Sequence, residues 1–193
     1  MNKIFKTLIF LGLIFSLVEC NPTKKNIVIT QKKSKESIVL RMESKYNTVF
    51  GIKFPQKLEF ENKSLSNKSF VMVNYQYEDS LTKWRNLGIE LYTDELERIS
   101  NNKKKIISSK TKLSYILYTR HFIDSTSSTQ AQFKTFIKKM LSQNKDTLHI
   151  GTVKEFKKTH KELFEKLTKN DSISIQFLEG KKLGERVTVP VKW

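Results

Sequence analysis

Apolar and polar residues alternate along several short stretches of this chain, as they do in β-strands that bury one face. The stretches 54–60 (FPQKLEF) and 69–77 (SFVMVNYQY) show the pattern clearly, and in the second one the odd positions from Val71 to Tyr77 form the apolar face. A polar turn, ENKSLSNKS, separates them. The same reasoning predicts strands at 37–43, 88–92, 112–123, 173–177 and 187–193.

Two of these strands have predictable positions in a sheet. The stretch 112–123 is apolar on both faces, which is typical of a central strand. The last stretch contains Pro190, which has no N–H to donate to a neighbouring strand, so this strand is expected at an edge or with its end free.

Two amphipathic helices are predicted between the long strand and the C-terminal hairpin. The first covers about 128–143, with apolar residues three and four positions apart. The second covers about 152–168, where Thr152 and Glu155 form the sequence signature of a capping box. The apolar residues that define the two faces are Phe133, Phe136, Ile137, Met140 and Leu141 in the first helix, and Val153, Phe156, Leu163, Phe164 and Leu167 in the second.

Serial short strands with polar turns predict a mainly β fold of the α+β type. We expect a single domain over residues 49–193, built as an antiparallel β-sandwich with the two helices covering one end or one face. The segment from Phe54 to Tyr77 resembles an immunoglobulin-like strand-turn-strand.

The N-terminal residues have a different character. Lys3 and Lys6 precede an apolar run from Leu8 to Val18. That run is shorter than the roughly 20 residues needed to span a bilayer. A basic start, a short apolar region and a polar continuation are typical of a secretory signal peptide, here residues 1–19.

The end of this segment, Leu17-Val18-Glu19-Cys20, resembles the lipobox of bacterial lipoproteins. The resemblance implies cleavage before Cys20, lipidation of its thiol, export, and anchoring of the protein to a membrane of the cell envelope. Glu19 departs from the family pattern, which has Gly, Ala or Ser there. Two alternatives are cleavage after Cys20 by an ordinary signal peptidase and a free thiol at Cys20, the only cysteine of the chain.

Residues 20–48 are rich in lysine and show little periodicity outside the strand at 37–43. We interpret them as the lipid anchor and a basic tether. The tether is either a solvated linker or a segment attracted to anionic head groups, at about 1 kcal/mol per basic residue near the surface.

Four of the five aspartates are followed by Ser or Thr and then by a small or apolar residue. This pattern resembles the O-glycosylation sequon of exported Bacteroidota proteins. The alternative is local structure, because Asp, Ser and Thr are also common in caps and turns. The hydroxyl residues concerned are Ser80, Ser125, Thr147 and Ser172. Surface-directed lipoproteins of that group carry acidic residues just after the cysteine, whereas NPTKKN follows Cys20, which favours an anchor that faces the periplasm.

The formal net charge of +17 indicates anionic partners. In an envelope these are lipid head groups, lipopolysaccharide, peptidoglycan carboxylates or acidic proteins, and export excludes nucleic acid. The abundance of Lys, Asn and Ile is also typical of an AT-rich genome, which is a second reason for the excess of lysine. The lysines are spread along the chain, so we expect their charge to act over a distance and not in one pocket.

The sequence contains no recognisable catalytic motif. His121, His149 and His160 are not at metal-ligand spacings, and no P-loop, nucleophile elbow or zinc-protease motif occurs. We predict no catalytic residue, no metal and no cofactor. Trp84 and Arg85 in DSLTKWRNLG are the candidate binding residues, since an aromatic side chain between cations suits a sugar or a protein hot spot. The alternative is that Trp84 packs beneath the sandwich.

The expected function is therefore that of a lipid-anchored binding or scaffold module of the envelope, with an acidic protein or an envelope glycan as partner. An immunity or inhibitor lipoprotein that neutralises a toxin or a hydrolase is the alternative, and an enzyme is not expected.

Overall fold

The computed structural model describes residues 26–85 and 87–193, so the predicted signal peptide and Cys20 lie outside the described residues. The strands are β1 (Ile27–Lys33), β2 (Ser37–Glu43), β3 (Thr48–Lys53), β4 (Pro55–Asn62), β5 (Lys68–Gln76), β6 (Glu90–Tyr92), β7 (Arg98–Ile99), β8 (Lys105–Ile107), β9 (Lys112–Tyr118), β10 (His121–Phe122), β11 (Thr147–Thr152), β12 (Ser172–Glu179) and β13 (Lys182–Pro190). The helices are α1 (Ser127–Ala131), α2 (Lys134–Ser142), α3 (Val153–Thr159) and α4 (Lys161–Thr168).

The predicted fold class is confirmed. Of the described residues, 46% are in strands and 19% in helices, and the strands form three antiparallel sheets. A five-stranded sheet has the order β1-β4-β9-β6-β7, and two four-stranded sheets have the orders β10-β3-β2-β11 and β13-β12-β5-β8. The predicted long strand at 112–123 is divided between two sheets. β9 ends at Tyr118 and is central in the five-stranded sheet, whereas β10 pairs with β3 in another sheet, because the chain turns at Thr119, whose N–H donates to the carbonyl of Phe54. β13 is an edge strand, as Pro190 indicates.

The sandwich consists of the five-stranded sheet packed on the sheet that contains β5. Their inner faces share one hydrophobic cluster, in which Phe60 stacks on Phe70 with ring centroids 4.7 Å apart. The buried members of this cluster are Leu58, Phe60, Phe70, Val73, Tyr75, Tyr77, Leu91, Ile107, Tyr115, Leu117, Ile173 and Ile175.

The helices pack on one face of the sheet β10-β3-β2-β11 and form a second hydrophobic cluster with it. Phe54, which directly follows β3, lies in this cluster beside Phe156 and Phe164. Val39, on the opposite face of β2, contacts Ile116 and Tyr118 of the five-stranded sheet. The apolar stripes of the predicted helices are thus core faces.

Each predicted helix consists of two short ones. The first is broken at Gln132–Phe133, and the second at His160, whose φ of −129° and ψ of 48° are not helical. The capping box of Thr152 and Glu155 is present at the start of α3. The segment between the two helix pairs forms β11, which the sequence did not predict and which pairs with β2.

The predicted boundary between tether and domain differs from the structure. Residues 27–33 and 37–43 are strands of two different sheets, so the folded part includes the segment 26–48 that was assigned to the tether. β1 pairs with β4 along its whole length, and Gln31 also donates to the carbonyl of Pro190 at 2.8 Å. β1 has little alternation because it is only partly buried, and its position depends on residues far along the chain.

The alternation in β5 changes at a β-bulge. Met72 pairs with Gln176, and Phe70 with Phe177, so Val71 is the extra residue. Phe70 and Val73 are both fully buried for this reason, whereas Val71 is not. The sequence had placed Val71 on the buried face and Phe70 on the opposite one.

No helix of the described residues has both the length and the apolar character to cross a membrane.

Candidate functional site

The loop that carries Trp84 is fixed at its first turn by Asp79. Asp79 Oδ2 accepts hydrogen bonds from the backbone N–H and the hydroxyl of Thr82, at 3.1 and 2.9 Å. The buried Thr82 Oγ1 in turn accepts from the N–H of Phe122 at 3.1 Å. The turn is therefore attached to β10 through a buried hydroxyl.

The other end of the loop is held by Tyr77 and Arg120. The Tyr77 hydroxyl donates to the carbonyl of Gly88 at 2.9 Å and accepts from the N–H of Arg120 at 2.9 Å. Arg120 Nη1 donates to the carbonyl of Leu87 at 3.0 Å. A loop anchored at both ends loses little conformational entropy when it binds a partner.

Trp84 lies in a 3₁₀ turn, Lys83–Arg85, between these anchors, and its side chain is 84% exposed. It does not pack beneath the sandwich, so the structure favours the binding interpretation of this residue over the packing one. The guanidinium carbon of Arg85 lies 4.2 Å from the ring centroid of Phe122, a cation–π distance. This contact holds the guanidinium of Arg85, the residue after Trp84, on the ring of Phe122.

A second arginine–aromatic pair adjoins the first. The guanidinium of Arg41 lies 5.1 Å from the ring centroid of Phe50, and β3 and β10, which carry Phe50 and Phe122, are neighbouring strands. We call the group of Trp84, Arg85, Phe122, Phe50 and Arg41 the Trp84 surface. It combines exposed aromatic area with two cations.

The ion pairs close to this surface do not neutralise it. Glu90 accepts from Lys53 at 2.9 Å and from Arg120 at 2.6 Å. Burial opposes ionisation of Glu90, but the hydrogen bonds from Lys53 and Arg120 prevail and lower its pKa. Among the described residues, Arg41 and Arg85 have no carboxylate within salt-bridge distance, so their charge remains available to a partner.

The lysines are not merely spread over the surface, which corrects the expectation from the sequence. Six of them line one cavity of about 300 Å³, which we call the lysine pocket. They come from three distant parts of the chain and are Lys32, Lys33, Lys35, Lys154, Lys157 and Lys192.

Lys105 also differs from the expectation that the lysines form an exposed basic surface. It is buried, and its ammonium donates to the carbonyls of Val71, Asn101 and Lys103 at 3.0, 2.6 and 2.8 Å. Burial lowers the pKa of Lys105 to about 8. Its role is to attach the loop before β8 to β5.

The predicted glycosylation residues occupy two kinds of position. Ser80 and Ser125 are exposed in loops, whereas Thr147 and Ser172 are half-buried first residues of β11 and β12. The aspartates before them have structural partners: Asp79 and Asp124 accept from residues of their own turns, and Asp171 accepts from the Tyr75 hydroxyl. The structure thus gives these aspartates a role in turns and packing, and glycosylation stays a prediction.

The three histidines lie apart. His121 is buried beside Phe54 and Tyr77, and this burial lowers its pKa to about 3. His149 is exposed and hydrogen bonds to Ser37, and His160 packs on Phe156. Within residues 26–85 and 87–193, no three His, Cys, Asp or Glu side chains come together in an arrangement that could hold a metal ion.

Comparisons of this chain with protein-family models, with curated proteins and with solved structures found no match.

Proposed function

We propose that this protein is a lipid-anchored binding module of a bacterial cell envelope, facing the periplasm, which docks an acidic protein partner through the Trp84 surface. The observation that carries the proposal is the 84% exposure of Trp84 on a loop that is fixed at both ends.

An exposed indole next to a guanidinium has the chemistry of an interface hot spot. Trp and Arg are enriched among the few residues that dominate binding energy at protein interfaces. Trp84 lies in a short turn and is highly exposed, which suits insertion of its indole into a pocket of a partner protein.

The charge of the chain favours an acidic partner. The sequence carries a net charge of +17, and Arg41 and Arg85 contribute uncompensated cations to the surface itself. Complementary charge accelerates association and selects against basic competitors.

Replacing Trp84 by Ala is expected to weaken binding of the partner at least tenfold, because hot-spot truncations cost about 2 kcal/mol or more. The measurement begins with capture of partners by the full-length chain from envelope extract. The identified partner is then purified, and its affinity for the wild-type and variant chains is measured.

Leu65→Ala is the matched control, since Leu65 is also a solitary exposed apolar residue, 87% exposed, in a different loop. Equal affinity of the two variants for every captured protein would contradict the proposal. If the partner is a toxin or a hydrolase whose activity falls on binding, this protein is an inhibitor. If the partner is a structural protein, this protein is a scaffold.

Replacing Cys20 by Ala is expected to move the protein from the membrane fraction to the soluble fraction. The lipid would be attached to this thiol, and several acyl chains give stable anchoring, at about 0.8 kcal/mol per buried CH₂. Cell fractionation in high salt measures the effect, with Cys20→Ala compared to Thr23→Ala. A variant at Cys20 that still sediments with membranes in high salt contradicts the lipid anchor.

A further inference from the structure

The lysine pocket lies where segments distant in sequence meet. It is bounded by the turn between β1 and β2, the first residues of β4, the start of α3 and the segment after β13. Its volume of about 300 Å³ is at the lower end of the range for small-molecule sites. It is separate from the Trp84 surface and shares no residue with it.

The rim of the pocket is cationic. Lys32 Nζ is paired with Glu59 at 2.7 Å. Within the described part of the chain, the other five lysines of the rim have no carboxylate at salt-bridge distance. The ammonium of Lys157 lies 5.5 Å from the ring centroid of Phe164, which places this cation against the hydrophobic core. Such a set of uncompensated charges around one cavity attracts an anion.

The remaining wall of the pocket is largely apolar and firmly held. Trp193, Pro55 and Val153 line it. The Trp193 ring packs edge-on against Phe54 and Phe164, at centroid distances of 5.8 and 5.7 Å. An apolar surface under a cationic rim favours a ligand that has both an acidic and an apolar part.

Gln56 and Trp193 are held in the wall by contacts with the rest of the protein. Gln56 is 2% exposed, and its Nε2 donates to Gln31 Oε1 and to the carbonyl of Lys192, both at 2.9 Å. These two acceptors fix the orientation of the amide and leave Gln56 Oε1 without a partner among the described residues. The Trp193 indole N–H is buried as well and lies close to the Tyr75 hydroxyl in the core. Both polar atoms are turned into the protein, so these contacts fix the positions of Gln56 and Trp193 in the wall of the pocket.

We propose that the lysine pocket binds an amphipathic anion, in which a phosphate or a carboxylate is joined to a small apolar group. The lysines bind the acidic group, and Trp193, Pro55 and Val153 contact the apolar part. The same chemistry occurs in free metabolites and in the head-group region of anionic phospholipids.

The test uses the full-length chain in phosphatidylcholine nanodiscs, with Trp84 replaced by Phe. Trp193 is then the only tryptophan, because the sequence has two, and its fluorescence reports on the pocket. Hexyl phosphate is the probe, with inorganic phosphate and hexanol as its separate parts. We expect saturable binding of hexyl phosphate, at least about tenfold tighter than that of either part, since each buried methylene adds a few-fold.

Two double variants separate the pocket from general charge. K154Q/K157Q removes two lysines of the rim, whereas K158Q/K161Q removes two exposed lysines from the same pair of helices and changes the net charge equally. We expect the first variant to bind hexyl phosphate about tenfold more weakly and the second to bind it like the parent chain. An equal loss in both variants, or no saturable signal from Trp193, overturns the proposal.

A final arm identifies the source of the ligand. Phosphatidylglycerol is added to the nanodiscs, and the affinity for hexyl phosphate is measured again. Competition by phosphatidylglycerol assigns the pocket to a membrane lipid, and unchanged affinity assigns it to a soluble molecule.

Discussion

Replacing Phe54 by Ala is expected to lower the free energy of unfolding by about 3 to 5 kcal/mol, the range found for truncation of buried aromatic residues. Phe54 is 0% exposed, and its ring lies between 5.1 and 5.8 Å from the rings of His121, Phe156, Phe164 and Trp193. Removing the ring leaves a cavity where the helices, the sheet β10-β3-β2-β11 and the C-terminal segment meet. These closely packed elements cannot all move to fill the cavity.

Urea denaturation measures this loss. The slope of the unfolding free energy against urea concentration should be the same in wild type and variant, which shows that both expose the same amount of surface on unfolding. Leu65→Ala is the control, because an exposed truncation should change stability by no more than about 0.5 kcal/mol. A loss of less than 1 kcal/mol for Phe54→Ala would show that this aromatic cluster does not support the fold.

The second large effect concerns the pH dependence of the free energy of unfolding, to which His121 and Asp171 contribute with opposite signs. Burial lowers the pKa of His121 from its usual 6.5 to about 3. The unfolded chain therefore takes up a proton below pH 6.5 that the folded chain refuses, and stability is lost as the pH falls from 6.5 towards 3. The loss is about 1.4 kcal/mol per pH unit.

Asp171 acts in the opposite direction. Burial raises the pKa of Asp171 to about 6, although it accepts hydrogen bonds from the Tyr75 hydroxyl and the Glu78 N–H, both at 2.8 Å. Nearby Asp79 and Glu78 also disfavour its charge. The folded chain binds this proton more tightly than the unfolded one, so stability rises as the pH falls from 6 to 3.8, again by about 1.4 kcal/mol per unit.

Between pH 6 and 4 the two contributions nearly cancel in the wild-type chain, and single substitutions should reveal each of them. Relative to wild type, His121→Gln should become more stable as the pH falls, and Asp171→Asn less stable, by about 1 to 1.4 kcal/mol per unit. Urea denaturation at several pH values measures the two differences. Since Tyr75 contacts both residues, the double variant is the control for coupling and should show neither slope. If the difference in unfolding free energy between each variant and the wild type does not change with pH, then His121 and Asp171 have ordinary pKa values in the folded chain, and the prediction is wrong.

Local patterns in the sequence were sufficient for the type of fold. Alternation identified the strand around 54–60 because its two faces differ in burial. The apolar character of the stretch 112–123 on both faces indicated a central strand, but not that the chain leaves this sheet after Tyr118. The capping box at Thr152 and the edge position required by Pro190 depend only on nearby backbone groups, so sequence reasoning reached them as well.

Patterns failed where pairing partners are distant. β1 was assigned to a tether because its sequence shows little periodicity, which reflects its partial burial. Its place beside β4 is decided by pairing with residues 23 to 35 positions away in the chain and by contacts of Gln31 with Pro190 and Lys192. The bulge at Val71 depends on β12, which lies about 100 positions further on.

The candidate sites divide in the same way. The residue types at Trp84 and Arg85 were consistent with a binding surface and with packing beneath the sandwich. Only the tertiary structure decided that the indole is exposed, since burial depends on what the loop packs against. The sequence determined the number of lysines and the net charge, and tertiary structure alone decided that six of them converge on one cavity. Charge is a property of each residue, whereas a pocket requires segments from residues 32–35, 152–157 and 192–193 to meet, and their meeting is fixed by the packing of Trp193 and Phe54 in the core.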